Sequence, residues 1–300
     1  MSSPVMPPAA EWPSLTPGPQ TITWQRAGDV RVLIAAGYAL LLQVSHPTVG
    51  AGVSEHSQFR RDPWGRLLRT LDYTCTMVYG GPQAAGEMGR RIRSFHRRIN
   101  GVRPDGQRYH ALEPAAYAWV HATLAQAIVL AHERFVRPFT AAQREQFWSE
   151  WRALGPLLGI RERDLPRDWT AFSAYVEEMV ERQLQRTAAV DEVLEALARP
   201  AAPALSEALR PLWVALARPQ LGHLLRVSTV GLLPPVLRGR FGVPWTRAGE
   251  LELSVLARAL RAATPLLPAS LLNTGPGYLR WRREALARGE VAAPATLLAV

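Results

Sequence analysis

Apolar positions along the chain recur mostly at spacings of three and four, and Pro and Gly interrupt them at intervals. Few stretches alternate with period two and β-branched residues are sparse. Leu, Ala, Arg, Glu and Gln, all good helix formers, dominate. The pattern predicts helices over 28–44, 47–59, 63–79, 83–100, 114–133, 141–154, 168–186, 189–198, 205–217, 219–229, 247–263 and 276–288. No internal repeat is present. The sharpest interior break, RPAAPA at 199–204, reads as a loop within one domain. The expected fold class is all-α: a single large multi-helix domain over 21–300 enclosing an apolar cavity. Residues 1–20, with six prolines between Met1 and Pro19, read as a flexible Pro-rich N-terminal arm.

Two of these helices carry polar residues in a pattern that asks for chemistry. In the helix from Pro63, Asp62 suits the N-cap, proline suits the first helical position, and Gly80-Gly81-Pro82 ends the run. Leu67, Leu68, Leu71, Cys75 and Val78 form an apolar stripe. Arg66, Thr70, Tyr73 and Met77, spaced four, three and four, share a second face with Arg69 at its edge. That face suits either a polar clamp over an apolar cavity or a solvated surface. In the next helix, Met88, Ile92, Phe95 and Ile99 define the buried stripe. His96 borders this stripe and Arg93 lies one turn before it. The pair suits a ligand pointing into a cavity beside an anionic group, or a hydrogen-bonded core histidine. Arginines around His96 favour its neutral form, which is the form that binds metals.

Composition narrows the chemistry. All 35 basic residues are arginine and the net charge is +10. The arginines are scattered rather than clustered on one face or tail, so no nucleic-acid site is expected. Without lysine there is no Schiff-base amine, lysine base or phosphate-loop lysine. Cys75 is the only cysteine and reads as a packed core thiol. No basic-then-apolar leader pattern opens the chain, and Val32–Val44, a thirteen-residue apolar run, is short of the roughly twenty that a bilayer span needs. A cytoplasmic location is expected. Glu-x-x-His, H-E-x-x-H, the dinucleotide and phosphate loops and the Gly-x-Ser-x-Gly elbow are all absent. His121 and His132, eleven apart, share one helix face and leave a two-histidine metal site open.

The run LLQVSHPTVGAGVSEHSQFRRDPWGRLLRTLDY, then FHRRING, YHALEP and WVHATL in that order, resembles the MpaB / latex-clearing-protein (rubber oxygenase) family. The resemblance is clear over about residues 25–185 and looser to about 285. It implies an all-helical fold and, as in the rubber-cleaving members, a b-type haem. The family's proximal histidine stands one turn after an arginine, which Arg93-x-x-His96 matches, so the resemblance implies His96 as the iron ligand. Arg93, Arg97 or Arg98 would then pair with a haem propionate. The distal Arg-x-x-Lys-Thr cluster of the rubber oxygenases corresponds to Arg66-x-x-Arg69-Thr70. His121 is implied as a pocket residue.

Arginine at 69 departs from the family lysine and cannot act as a base. Glu55, the only carboxylate between Asp29 and Asp62, is the candidate for that role. The function implied is a haem b-dependent oxygenase that binds O2 on iron and oxidises or cleaves a small lipophilic, isoprenoid-like alkene. Peripheral membrane contact is compatible with this reading. The alternative is a non-catalytic haem- or lipid-binding helical protein.

Overall fold

The computed structural model describes residues 6–56, 63–202 and 210–289. Among these the chain is all-α, and its only strands are β1 (Asn100–Val102) and β2 (Arg108–His110). The helices of seven residues or more run in chain order as α1 (Ala36–Val44), α2 (Pro47–His56), α3 (Pro63–Tyr79), α4 (Gly81–His96), α5 (Pro114–Phe135) and α6 (Ala141–Ala153). They continue as α7 (Trp169–Glu178), α8 (Ala188–Ala198), α9 (Arg218–Leu232), α10 (Pro235–Phe241), α11 (Arg247–Ala262) and α12 (Gly275–Ala287).

Helix α5 is the centre of the molecule. It is long and apolar enough to cross a bilayer, yet 67% of its most apolar stretch is buried inside the protein, as in the core helix of a bundle. Helices α1, α6 and α11 and the 3-10 segment Val30–Ala35 pack around it. Trp119 of α5 is fully buried and donates its indole N–H to the Leu42 carbonyl of α1 at 2.8 Å.

Local chemistry explains where the predicted elements shift. The expected helix over 28–44 divides in two. Asp29 accepts the Arg31 amide N–H at 2.9 Å and pairs with the buried Arg31 side chain, starting a 3-10 turn before α1 begins. Between α1 and α2 the chain bends by 103° at Ser45-His46-Pro47, because the residue before proline is driven out of helical geometry. The bend sets α2 against α8 and the hairpin strands β1 and β2. The helix expected to reach residue 100 stops at His96. Arg98 and Ile99 close tight three-residue turns onto Phe95 and His96, and a hairpin follows with Gly106 at φ +82 in its Asp105-Gly106 turn. Asp-Gly between alternating residues is the hairpin signal that the helical reading of this segment passed over.

Elsewhere α7 is shorter than predicted and runs into a π turn at Met179–Gln183, α10 is an additional helix, and the predicted 205–217 helix is described from Arg210 onward. Asp62, the expected cap of α3, lies outside the described residues. Within the proline-rich arm, Trp12 is 3% exposed and sits on Gly86 of α4 with Arg90 stacked over its ring. This part of the arm is packed on the domain because an indole recovers apolar burial where proline and serine have little to bury.

Candidate functional site

Helices α3 and α4, joined by a turn at Gly80 and Gly81 (φ +78), pack antiparallel and form two sides of a cavity of about 310 Å3. Its remaining sides come from α2 (Thr48, Val49, Gly52, Val53, His56), from β2 and from α5 (Tyr117, Val120, His121, Leu124). The lining is mostly apolar, as in small-molecule sites. Of the expected site residues the structure brings together Arg66, Arg69, Thr70, His96 and His121 around this one cavity. Arg93, Arg97 and Glu55 stand outside it.

The exposure of α3 follows from its sequence only in part. Tyr73 faces the cavity with Arg66 and Thr70 as their spacing predicts, while Met77 is buried in the core at 6% exposure. Of the expected apolar stripe, Cys75 and Val78 are buried, but Leu68 is 40% exposed. Burial, followed by the nearby Asp72 carboxylate, pushes the Cys75 thiol up to about 12, so it is an inert core thiol as expected. Burial and the neighbouring Arg69 lower the Arg66 guanidinium to about 10, which leaves it charged at neutral pH. Thr70 donates its hydroxyl hydrogen to the Arg66 carbonyl at 3.0 Å and presents its oxygen as an acceptor. The Tyr73 hydroxyl is buried at the cavity wall without a hydrogen-bond partner among the described residues.

His96 is the last residue of α4. Its Nδ1–H donates to the Ile92 carbonyl at 2.7 Å, four residues back, which is possible only with the proton on Nδ1. Nε2 therefore carries a lone pair. Burial lowers the His96 pKa; the Ile92 hydrogen bond opposes this and His110 adds to it. The imidazole is thus neutral at pH 7, chiefly because it is desolvated rather than because arginines surround it. Phe95 and Tyr117 hold the ring edge-on, with centroids at 5.3 and 5.4 Å.

His121 faces the same cavity from α5. It donates Nε2–H to the Trp151 carbonyl at 3.0 Å, and the Trp151 indole donates back to the His121 carbonyl at 3.1 Å. The rings stack at 5.5 Å. This reciprocal pair fixes the tautomer and leaves the lone pair on Nδ1. His132 does not join it: it donates to the Arg26 carbonyl at 2.9 Å and packs on Phe139. A site shared by His121 and His132 is not formed, and among the described residues no group of three His, Cys, Asp or Glu side chains could hold a metal ion.

Glu55, at the end of α2, stands behind the cavity wall. Its Oε2 accepts the Tyr109 hydroxyl at 2.6 Å, and it is Tyr109 that lines the cavity. Gly101 makes this approach possible, since a Cβ there would strike both Glu55 and Tyr109. Arg93 and Arg97 line a second cavity beyond Tyr109, Tyr117 and Ile160. The sequence reading missed Tyr109 and Tyr117. Tyr117 stands four residues before His121, one helical turn along the same face, and that spacing was the available signal.

Burial holds both His121 and His132 down at about 4. An unfolded histidine titrates near 6.5, so as pH falls the unfolded chain takes up these protons first. The stability contributed by the neutral folded forms is complete above about pH 6.5 and is lost between about 6.5 and 4. At about 1.4 kcal/mol per unit, each histidine contributes on the order of 3 kcal/mol. Urea unfolding free energies should therefore be level from pH 8 to 7 and fall by several kcal/mol by pH 4.5. The fall between pH 6 and 5, where carboxylates contribute least, identifies the histidines, and a flat profile there contradicts both.

Fold and site together define an all-helical protein in which a neutral histidine and two arginines line a mostly apolar cavity. The family model for the catalytic domain of the ER-bound oxygenase mpaB/B'/rubber oxygenase matches residues 24–262, and the chain belongs to that family. It is accordingly an oxidoreductase of the oxygenase type. Comparison with curated proteins and with solved structures gave no match.

Proposed function

We propose that the chain is a haem b-dependent oxygenase acting on a small lipophilic unsaturated substrate, with the cavity between α3 and α4 as its active site. The observation that carries this reading is the state of His96. Its Nδ1–H is committed to the Ile92 carbonyl, which leaves the lone pair on Nε2, and its ring lines the same cavity as Arg66, Arg69 and Thr70. A backbone carbonyl on the far nitrogen is the arrangement that orients an imidazole ligand and raises its basicity. The donor set would suit a haem: one neutral histidine, apolar walls for the macrocycle, and two guanidiniums from the adjoining helix.

When bound, the haem supplies the capacity to activate O2, while the protein supplies the axial ligand, electrostatics and exclusion of water. His96 is the ligand in this reading. Arg66, held charged, and Arg69 would offer guanidinium donors to negative charge in the cavity, where such bonds are worth more than in bulk water. Thr70 and Tyr73 line the same side. His121 stiffens the opposite wall through Trp151. Arg93 and Arg97 meet haem carboxylates only if those reach past Tyr117 into the second cavity. Among the described residues two carboxylates stand one hydrogen bond behind the wall to take a proton from the substrate: Glu55, through the Tyr109 hydroxyl, and Glu113, through the Thr48 hydroxyl. Val49, Val53, Phe95 and Leu124 give the substrate an apolar bed, which favours an isoprenoid-like alkene over a polar one.

The test is haem titration of the haem-free full-length chain, followed by absorption spectroscopy. The expected result is a Soret band that saturates at one haem per chain. Saturation at no defined ratio, or no band, overturns the proposal and leaves a lipid-binding role for the cavity.

A further inference from the structure

The second cavity, about 620 Å3, adjoins the first across Tyr109, Tyr117 and Ile160. Its chemistry is opposite to that of its neighbour. Arg93, Arg97, Arg108 and His110 line it, and its two carboxylates are already engaged. Asp164 accepts from Arg161 at 2.6 and 2.9 Å through its two oxygens, and Glu113 accepts from the Thr48 hydroxyl at 3.1 Å. His110 accepts the Leu112 amide on Nδ1, so its Nε2 carries a hydrogen to donate.

Arg93 is the decisive residue. It is 6% exposed, and its hydrogen bond is a long one, 3.4 Å from Nη1 to the Gly159 carbonyl. Among the described residues no carboxylate stands within ion-pair distance of it. A buried cation is costly unless paired, yet the fold commits a special residue to keep this one buried. Gly159 lies at φ +77, and a Cβ there would strike the Arg93 guanidinium. Beside it, the Tyr117 hydroxyl is buried and has no hydrogen-bond partner among the described residues. Donors therefore outnumber acceptors in this space: three guanidiniums, the Tyr117 hydroxyl and the His110 Nε2–H line it beside two carboxylates, of which Asp164 is already paired with Arg161.

We infer that this cavity is a binding site for an oxyanion, a carboxylate or phosphate group, gripped by Arg93 and Tyr117 with Arg108 and His110 at the rim. A guanidinium matches the paired oxygens of either group. The site does not depend on the haem assignment. The anion is either free in solution or the acid group of a molecule seated in the first cavity, since the two cavities share a wall.

Thermal unfolding of the haem-free full-length chain tests it, with inorganic phosphate titrated at constant ionic strength. The wild-type midpoint should rise saturably, by about 2 to 4 °C at saturation, because a ligand that binds only the folded state stabilises it. Arg93→Gln should show no rise, Arg108→Gln should require about tenfold more phosphate, and Arg280→Gln on α12 should respond as wild type. Repeating the titration after adding haem separates the sources. Loss of the response means that the first cavity's occupant supplies the anion, and persistence means a separate ligand; both support the site. A wild-type midpoint that does not saturate, or equal responses from wild type and Arg93→Gln, overturns it. Because the first arm uses the haem-free chain, failure to bind haem leaves this result standing.

Discussion

Replacing His96 with alanine is expected to abolish stoichiometric haem uptake, so that no Soret band develops at one haem per chain. The magnitude follows from what is removed. Loss of an outer partner of a ligand typically costs about 10- to 100-fold in affinity, and loss of the ligand itself costs more. The remaining contacts are apolar walls and arginines, which hold a porphyrin without fixing its iron. Two variants make the result specific. His121→Ala removes an imidazole from the same cavity, but one whose Nε2–H is tied to Trp151, and it should keep the band with altered stability. Arg66→Gln should also keep the band while turnover falls, on the order of 100-fold, the usual cost of one donor aimed at developing charge. An unchanged spectrum in His96→Ala would sink the ligand assignment and turn attention to His121 or His56, the other imidazoles at the cavity.

The helical architecture was readable because it rests on periodicity, a local property. That Arg66, Thr70 and Tyr73 share one face followed from their spacing, but the spacing left a solvated surface open; the packing of α3 on α4 across the short Gly80-Gly81 connection is what puts that face on a cavity. The neutrality of His96 was anticipated, but its cause was not. Desolvation by Phe95, Tyr117 and the apolar walls is a tertiary effect, whereas the neighbouring arginines were merely visible in the string. Arg93 shows the same limit. One turn before His96 it was expected beside the same ligand, yet α4 ends at His96, and Gly159, sixty-six residues away, draws the guanidinium to the other side of Tyr117. In the sequence Glu55 stands out only as the one carboxylate between Asp29 and Asp62. Its actual position is set by a hairpin that the helical pattern concealed.

The largest effect on stability is expected at a pair that no motif marked. Asp72 of α3 and Arg282 of α12 are both buried, and the Arg282 Nε–H lies 2.8 and 3.0 Å from the two Asp72 oxygens. The Tyr278 hydroxyl donates to the same carboxylate at 2.6 Å. Removing either partner leaves a buried charge without its counter-ion, which costs about 3–5 kcal/mol. Asp72→Leu and Arg282→Met should each lower the urea unfolding free energy by that amount. The double variant should lose far less than the sum, because two apolar side chains need no mutual compensation. Additive losses, or single losses below about 1 kcal/mol, would show that the pair is not coupled. The consequence reaches the proposed active site. Helix α12 lies beyond the family match at residue 262 and packs on the helix that carries Arg66, Arg69 and Thr70. In the single variants, haem-dependent turnover should therefore fall at temperatures where the chain is still folded. In the double variant both turnover and stability should recover together, which a pair serving only global stability would not require.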